Sequence, residues 1–392
     1  MGGTSTDVAH YAGEYERELD SEIAGARMRV PVLAIHTIAA GGGSILSFDG
    51  MSYRVGPESG GSNPGPACYR RGGELTVTDA NVMLGKIHPQ YFPAVFGQDA
   101  NQPLDREVVL NKFEQLTANI NTTTGNNSTP EQVASGFMAI AVANMANAIK
   151  KISLQRGYDV TQYVLCCFGG AGAQVACLIA DTLSITKLFI HPYAGVLSAY
   201  GIGLANLSTT GVESVEMTLT KDVMPYLESR FDSLIAKGTK DDPDLIIKKV
   251  NLKYAGTDST LTIDFNFDLV IMQQDFAREH KTRYGFIQPE KELVVESITV
   301  ESIRQMTPPE ETIVTRTRSK DEPPTPIETV QMFALNKWHD GKVYRREDLQ
   351  PHDCIKGAAI IVEPISTIFI EPNWQATLSD RNYLILERIS QK

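Results

Sequence analysis

The sequence contains no apolar run approaching the roughly 18 residues that a membrane-crossing helix needs, so no membrane partner is expected. Its start carries no basic stretch followed by apolar residues, and no secretory signal is visible. Positive charge is in deficit: 36 Lys and Arg stand against 47 Asp and Glu, a net charge of −11. That balance argues against nucleic acid or an anionic lipid surface as a default partner. Cysteine is sparse. Cys68, Cys166, Cys167, Cys177 and Cys354 form an odd, scattered set without metal-site spacing. Cys166 and Cys167 fall in an apolar run and read as buried thiols; a reducing compartment, the cytosol, fits best. Internal repeats and heptads are missing too. Three N-x-S/T triplets between Asn121 and Thr129 read as chance in an Asn/Thr-rich loop.

What the chain does have is glycine, 31 residues in 392, much of it in short clusters. With 42% hydrophobic and 21% charged residues the composition is globular, and the length asks for two or three domains. Residues 31–48 (PVLAIHTIAAGGGSILSF) read as strand, glycine turn, strand. Residues 55–73 (VGPESGGSNPGPACYRRGG) hold too much Gly and Pro for regular structure. TVTDANVMLG (76–85) reads as a short strand entering a helix capped at Asp79. After Pro130, Val133, Phe137, Ile140, Ala141, Met145, Ala148, Ile149 and Ile152 recur every three or four residues, one apolar stripe of a long helix that Gly157 closes. YVLCCF, GGAG, AQVACLIADTL, KLFIH and AGVLSAYGIGLAN then alternate strand and helix, which predicts an α/β lobe with parallel strands over 1–215. Residues 216–306 read as an α+β region with antiparallel strands, 307–327 as a linker or surface excursion, and 328–392 as a small C-terminal β module.

Three glycine clusters invite an anion, because bare backbone N–H groups approach it without a side chain in the way. MGGTSTDV (1–8) adds hydroxyls suited to phosphate oxygens. Asp7 in it suits either a contact to hydrated magnesium or a plain turn-capping role. AAGGGS (39–44) is the second cluster. CFGGAGAQVAC (167–177) is the third, a strand–turn–helix unit without the Lys-Ser/Thr of a P-loop or the full spacing of a dinucleotide fold. Taken alone it reads equally well as a tight turn between strand and helix.

The order GGTSTDV, AAGGGS, GPACYRRGG, TVTDAN, CFGGAG and AGVLSAYG resembles the hydantoinase A / 5-oxoprolinase family in its long eukaryotic-type branch, strongly over 1–205 and more loosely beyond. The resemblance implies an RNase H-like lobe of the actin/hexokinase superfamily, with ATP between two lobes and Mg2+ beside its phosphates. It implies ATP-dependent hydrolysis of 5-oxo-L-proline, a cyclic amide, to L-glutamate in glutathione metabolism. Gly2, Gly3, Thr4, Ser5, Thr6 and Asp7 match the family's second phosphate loop, with Asp7 as the catalytic and metal-side acid. Gly169, Gly170 and Gly172 match its nucleotide-side loop. Arg70 and Glu58, in the family's most distinctive stretch, become candidate substrate-binding residues.

The resemblance starts only at that second phosphate loop, so a first lobe and a hydantoinase B-like half are the partner regions it implies, and an exposed apolar surface makes self-association an expectation. Where the family reads GGAGG followed by Gln-His, this chain has Ala173 for the glycine and Val175 for the histidine. Ala costs little there if its φ is negative and strains the turn if positive. Two alternatives stand beside the oxoprolinase reading: a catalytically inactive lobe that only folds or associates, and an ATP-dependent hydantoinase or carboxylase subunit.

Overall fold

The structure, a computed structural model, describes residues 1–13, 15–23, 26–238, 243–319 and 322–389. The chain divides into two units. One joins Met1–Leu154, Asp159–Leu197 and Glu311–Lys392; the other joins Gln155–Tyr158 and Ser198–Glu310.

In the first unit, strand Thr6–Ala9 pairs antiparallel with Ile35–Ile38, and Ser44–Phe48 with Tyr53–Ser59. Helix α1 (Val77–Met83) follows. Thr76, not Asp79, is its N-cap; Asp79 stands three residues in and accepts the Thr76 N–H at 2.8 Å, which leaves no room for a strand leading up to it. Helix α2 (Arg106–Thr124) begins at Asp105, which accepts the Val108 N–H, and ends at Gly125, where φ is +73°. Helix α3 (Pro130–Ile152) has Thr129 and Gln132 as a capping box and Pro130 in its first turn. It is long and apolar enough by composition to cross a bilayer, but Val133, Phe137, Ala141, Met145, Ala148 and Ile152 are buried in the core. It ends at Ser153, where φ −121° and ψ −79° leave the helical region, so Gly157 lies outside it.

Strands Leu165–Cys167 and Lys187–Ile190 run parallel, joined through α4 (Ala176–Leu183), as the strand–helix alternation predicts. Only Cys167 of the adjacent cysteines is buried. Cys166 is exposed, because successive residues of a strand face opposite ways. A further helix, α5 (Leu197–Leu204), comes after these strands.

The last eighty residues lie in the first unit. Leu384–Arg388 pairs antiparallel with Lys187–Ile190, giving a five-stranded sheet in the order Cys354–Lys356, Trp374–Leu378, Leu384–Arg388, Lys187–Ile190, Leu165–Cys167. Phe113, Phe137, Leu188, Ile360, Phe369 and Trp374 share one core. Leu384–Arg388 and Lys187–Ile190 are neighbours in that sheet although about two hundred residues apart in sequence, a pairing no local pattern reveals. Ahead of those strands, Arg316 and Arg318 both grip the buried Asp353 carboxylate, at 2.7 and 2.8 Å, and pin the irregular segment that carries them.

The second unit is an antiparallel sheet in the order Leu261–Asp264, Leu245–Tyr254, Leu293–Arg304, Leu207–Thr218. Helices α6 (Met224–Gly238) and α7 (Leu269–Tyr284) complete it, with Leu227, Phe231, Val250, Leu252, Met272, Phe276 and Ile298 in its core.

Candidate functional site

The three glycine clusters meet. The Gly2 N–H turns back onto the Ser5 carbonyl at 3.0 Å, which leaves the Gly2 and Gly3 carbonyls outward; they accept the N–H groups of Gly42 and Gly43 at 3.0 and 2.6 Å. From the other side the Met1 nitrogen donates to the Phe168 carbonyl at 2.8 Å, and the Ala171 N–H donates to the Met1 carbonyl at 3.3 Å. Those contacts are made by backbone groups. A Cβ on Gly41 would lie 2.6 Å from the Gly3 oxygen, and one on Gly169, whose φ is +85°, 2.2 Å from the Met1 oxygen. Glycine is required at both places because any side chain would push the loops apart.

Convergence does not make every candidate available. Gly2, Gly3 and Thr4 are exposed, Ser5 is half-buried, and no acceptor takes the Gly3, Thr4 or Gly170 N–H among the described residues. In contrast, the Gly2 and Gly172 N–H groups close turns onto Ser5 and Gly169, and the Gly169 N–H donates to the Ala194 carbonyl. Thr6 was a candidate hydroxyl donor; it is buried and donates to the Ala40 carbonyl at 2.6 Å, because its strand position points inward. Asp7, the next residue, points outward and accepts the Thr37 hydroxyl at 2.7 Å.

Arg70 is engaged by neighbouring groups of the fold. Its Nε donates to the Pro103 carbonyl and its Nη1 to Asp105, the cap of α2, both at 2.7 Å, so the guanidinium is committed to the fold. Glu58 is exposed and precedes Ser59, whose hydroxyl borders Gly43. Ser59 is a residue sequence reasoning missed. The loop beyond it is tied to the cluster by the Gly60 N–H, which donates to the Gly43 carbonyl at 2.9 Å.

The TVTDAN stretch organises all of this. Asp79 is fully buried and accepts from the Ala67, Cys68 and Thr76 N–H groups and the Thr76 hydroxyl, at 2.8–3.0 Å. Desolvation raises its pKa in spite of those donors. Burial also pushes the neighbouring Cys68 thiol far up, toward its neutral form. From the same short helix, Thr78 holds Gly42 and Asn81 holds Gln174. One helix therefore braces the 65–73 loop, the second glycine cluster and the third.

Residues 1–210 match the Hydantoinase/oxoprolinase family, and residues 217–389 match the Hydantoinase/oxoprolinase C-terminal domain. The chain belongs to the hydantoinase/oxoprolinase family. It is 37% identical over 394 residues to a 5-oxoprolinase of Dictyostelium discoideum, covering 96% of this chain and 31% of that protein. It is 36% identical over 410 residues to a 5-oxoprolinase of Saccharomyces cerevisiae, covering 100% and 32%. The chain thus spans about a third of the length of these relatives. Among solved structures it is similar to the ATP-dependent caprolactamase from Pseudomonas jessenii, with a TM-score of 0.84 and 25% identity over 99% of this chain and 58% of that one. These likenesses establish the α/β fold of the actin/hexokinase-like hydantoinase family.

Within that family frame the two replaced positions of the third cluster can be judged. Ala173 sits in a short 3-10 turn and is not among the residues with positive φ, so the methyl group causes no backbone strain. Val175 has 1% of its surface exposed and packs in the core, where an imidazole would need a buried partner. Among the described residues no group of three or more His, Cys, Asp or Glu is placed to hold a metal ion.

Proposed function

We propose that this chain carries the second phosphate loop and the nucleotide-side loop of an ATP-dependent cyclic-amide hydrolase whose substrate is 5-oxo-L-proline. The observation that supports the reading is the direct contact between the 1–5 and 169–172 turns, Ala171 N–H on the Met1 carbonyl, which brings the two turns side by side. The residues fit a nucleotide: exposed N–H groups of Gly3 and Thr4, the Thr4 hydroxyl and the Gly170 N–H are the donors that phosphate oxygens need. Gly2, Ser5, Gly169 and Gly172 shape the turns. Asp7 is a single exposed carboxylate, suited to a magnesium ion that keeps most of its waters.

A lactam carbonyl is a poor electrophile, and ATP supplies the phosphoryl group that makes its carbon open to water. The chain's contribution is positioning and charge neutralisation around the phosphates. Glu58 remains the candidate on the substrate side. The rest of the work belongs to partner regions that supply the length this chain does not span.

Titration of the purified chain with MgATP tests the nucleotide half of the reading; binding is expected, and its absence would defeat it in favour of a lobe that only folds and associates. ATP turnover in the assembled enzyme, driven by 5-oxoproline, tests the substrate. The likeness to caprolactamase favours a second reading, another cyclic amide, which turnover with caprolactam or a hydantoin in place of oxoproline would establish.

A further inference from the structure

Asn81 and Gln174 lie 93 residues apart in sequence, and 1% and 7% of their surfaces are exposed. Asn81 Nδ2 donates to Gln174 Oε1 at 3.1 Å. In this arrangement the Gln174 amide has its oxygen toward Asn81. Its oxygen is consumed by Asn81, so its nitrogen, with two donor hydrogens, is turned the other way. Gln174 Nε2 takes no partner among the described residues and, unlike Asn81 Oδ1, is not sealed from solvent. Gln174 ends the Gly172–Gln174 turn, and its backbone N–H donates to Ala171, the residue that bonds to Met1. Asn81 is one helical turn beyond Thr78, on the same face of α1, and Thr78 holds Gly42. The pair therefore stands where the glycine clusters are braced against one another.

We propose that Asn81 is a positioning residue: it orients Gln174 so that the amide nitrogen is offered to an anionic group lodged among the glycine loops. That the anion is a nucleotide phosphate rests on the function proposed above. The polarity of the pair is what distinguishes this role from plain packing. Two amides meeting the other way round would present an oxygen to the same anion and repel it.

Two variants reverse that polarity with little change of shape. Asn81→Asp accepts only, so Gln174 must turn its nitrogen inward. Gln174→Glu keeps the bond from Asn81 Nδ2 and presents a carboxylate oxygen where the nitrogen was. Each is expected to weaken MgATP binding by about tenfold or more in calorimetric titration, and, because each places a carboxylate at a buried position, to lower the melting temperature as well. Asn81→Ala, followed by hydrogen exchange, reads the positioning without nucleotide: amides at 172–175 should exchange faster while those of α3 stay unchanged. Unaltered MgATP affinity in both polarity variants, or unaltered exchange at 172–175 in Asn81→Ala, overturns the inference. A wild-type chain that does not bind MgATP, while Asn81→Ala still loosens 172–175, defeats the nucleotide reading and supports the positioning role.

Discussion

The backbone N–H and the hydroxyl of Thr78 both donate to the carbonyl oxygen of Gly42, at 2.8 and 2.9 Å. A doubly held carbonyl on a glycine-rich turn fixes a segment that has few side chains of its own to hold it. The same helix grips the 65–73 loop through Asp79 and the third glycine turn through Asn81, so rigidity is imported into the cluster from α1.

Gly169 should be the least replaceable residue of the third cluster. Gly169→Ala places a Cβ at φ +85° and 2.2 Å from the Met1 oxygen. The φ alone costs about 1–2 kcal/mol, and the backbone clash adds to it. Thermal unfolding should fall, and MgATP affinity should fall with it. Ala173→Gly, at a position without positive φ, should leave affinity unchanged; a clear gain there would show that the methyl group is disabling.

Asp7→Asn should separate activity from stability. Asp7 is exposed, so stability is expected to stay within about 0.5 kcal/mol of wild type. ATP turnover by the assembled enzyme should drop by about tenfold or more if its charge orders magnesium-bound water. Equal turnover removes Asp7 from the machinery.

Arg70→Ala should do the reverse. Its ion pair with Asp105 is partly exposed, so the loss of stability is expected to be about 1 kcal/mol or less. KM for the cyclic amide should not change, because the guanidinium is already bound to Pro103 and Asp105. A large rise in KM would restore Arg70 as a substrate ligand.

Asp79 predicts a pH dependence. Its folded-state pKa is raised above 3.8 by desolvation, so the folded chain holds that proton more tightly than the unfolded chain. The group's contribution to stability is therefore fully present below 3.8 and declines as pH rises through the raised value. Relative to Asp79→Asn, which does not titrate, wild type should gain stability as pH falls from neutrality toward 4, measured by denaturant unfolding at each pH. Wild-type stability that stays constant relative to Asp79→Asn as pH falls would show that the four donors offset desolvation, and relative stability that drops would show that they outweigh it.

Short-range rules carried much of the reading. The α3 stripe, its start at Pro130, and the strand–turn–helix around Gly169 are legible because their partners lie within a few residues, where spacing and local propensity decide. Six consecutive short motifs likewise sufficed to identify the family. The sequence could not say that Thr6 spends its hydroxyl on Ala40, that Arg70 caps α2 through Asp105, or that Asn81 reaches Gln174. Those partners are 34, 35 and 93 residues away. Nor could it show that Leu384–Arg388 completes the sheet of Lys187–Ile190. Residue types alone determined which groups could bind an anion; the tertiary structure decided which of them are left to do so, because a buried donor or charge takes whatever partner the fold brings within reach of it.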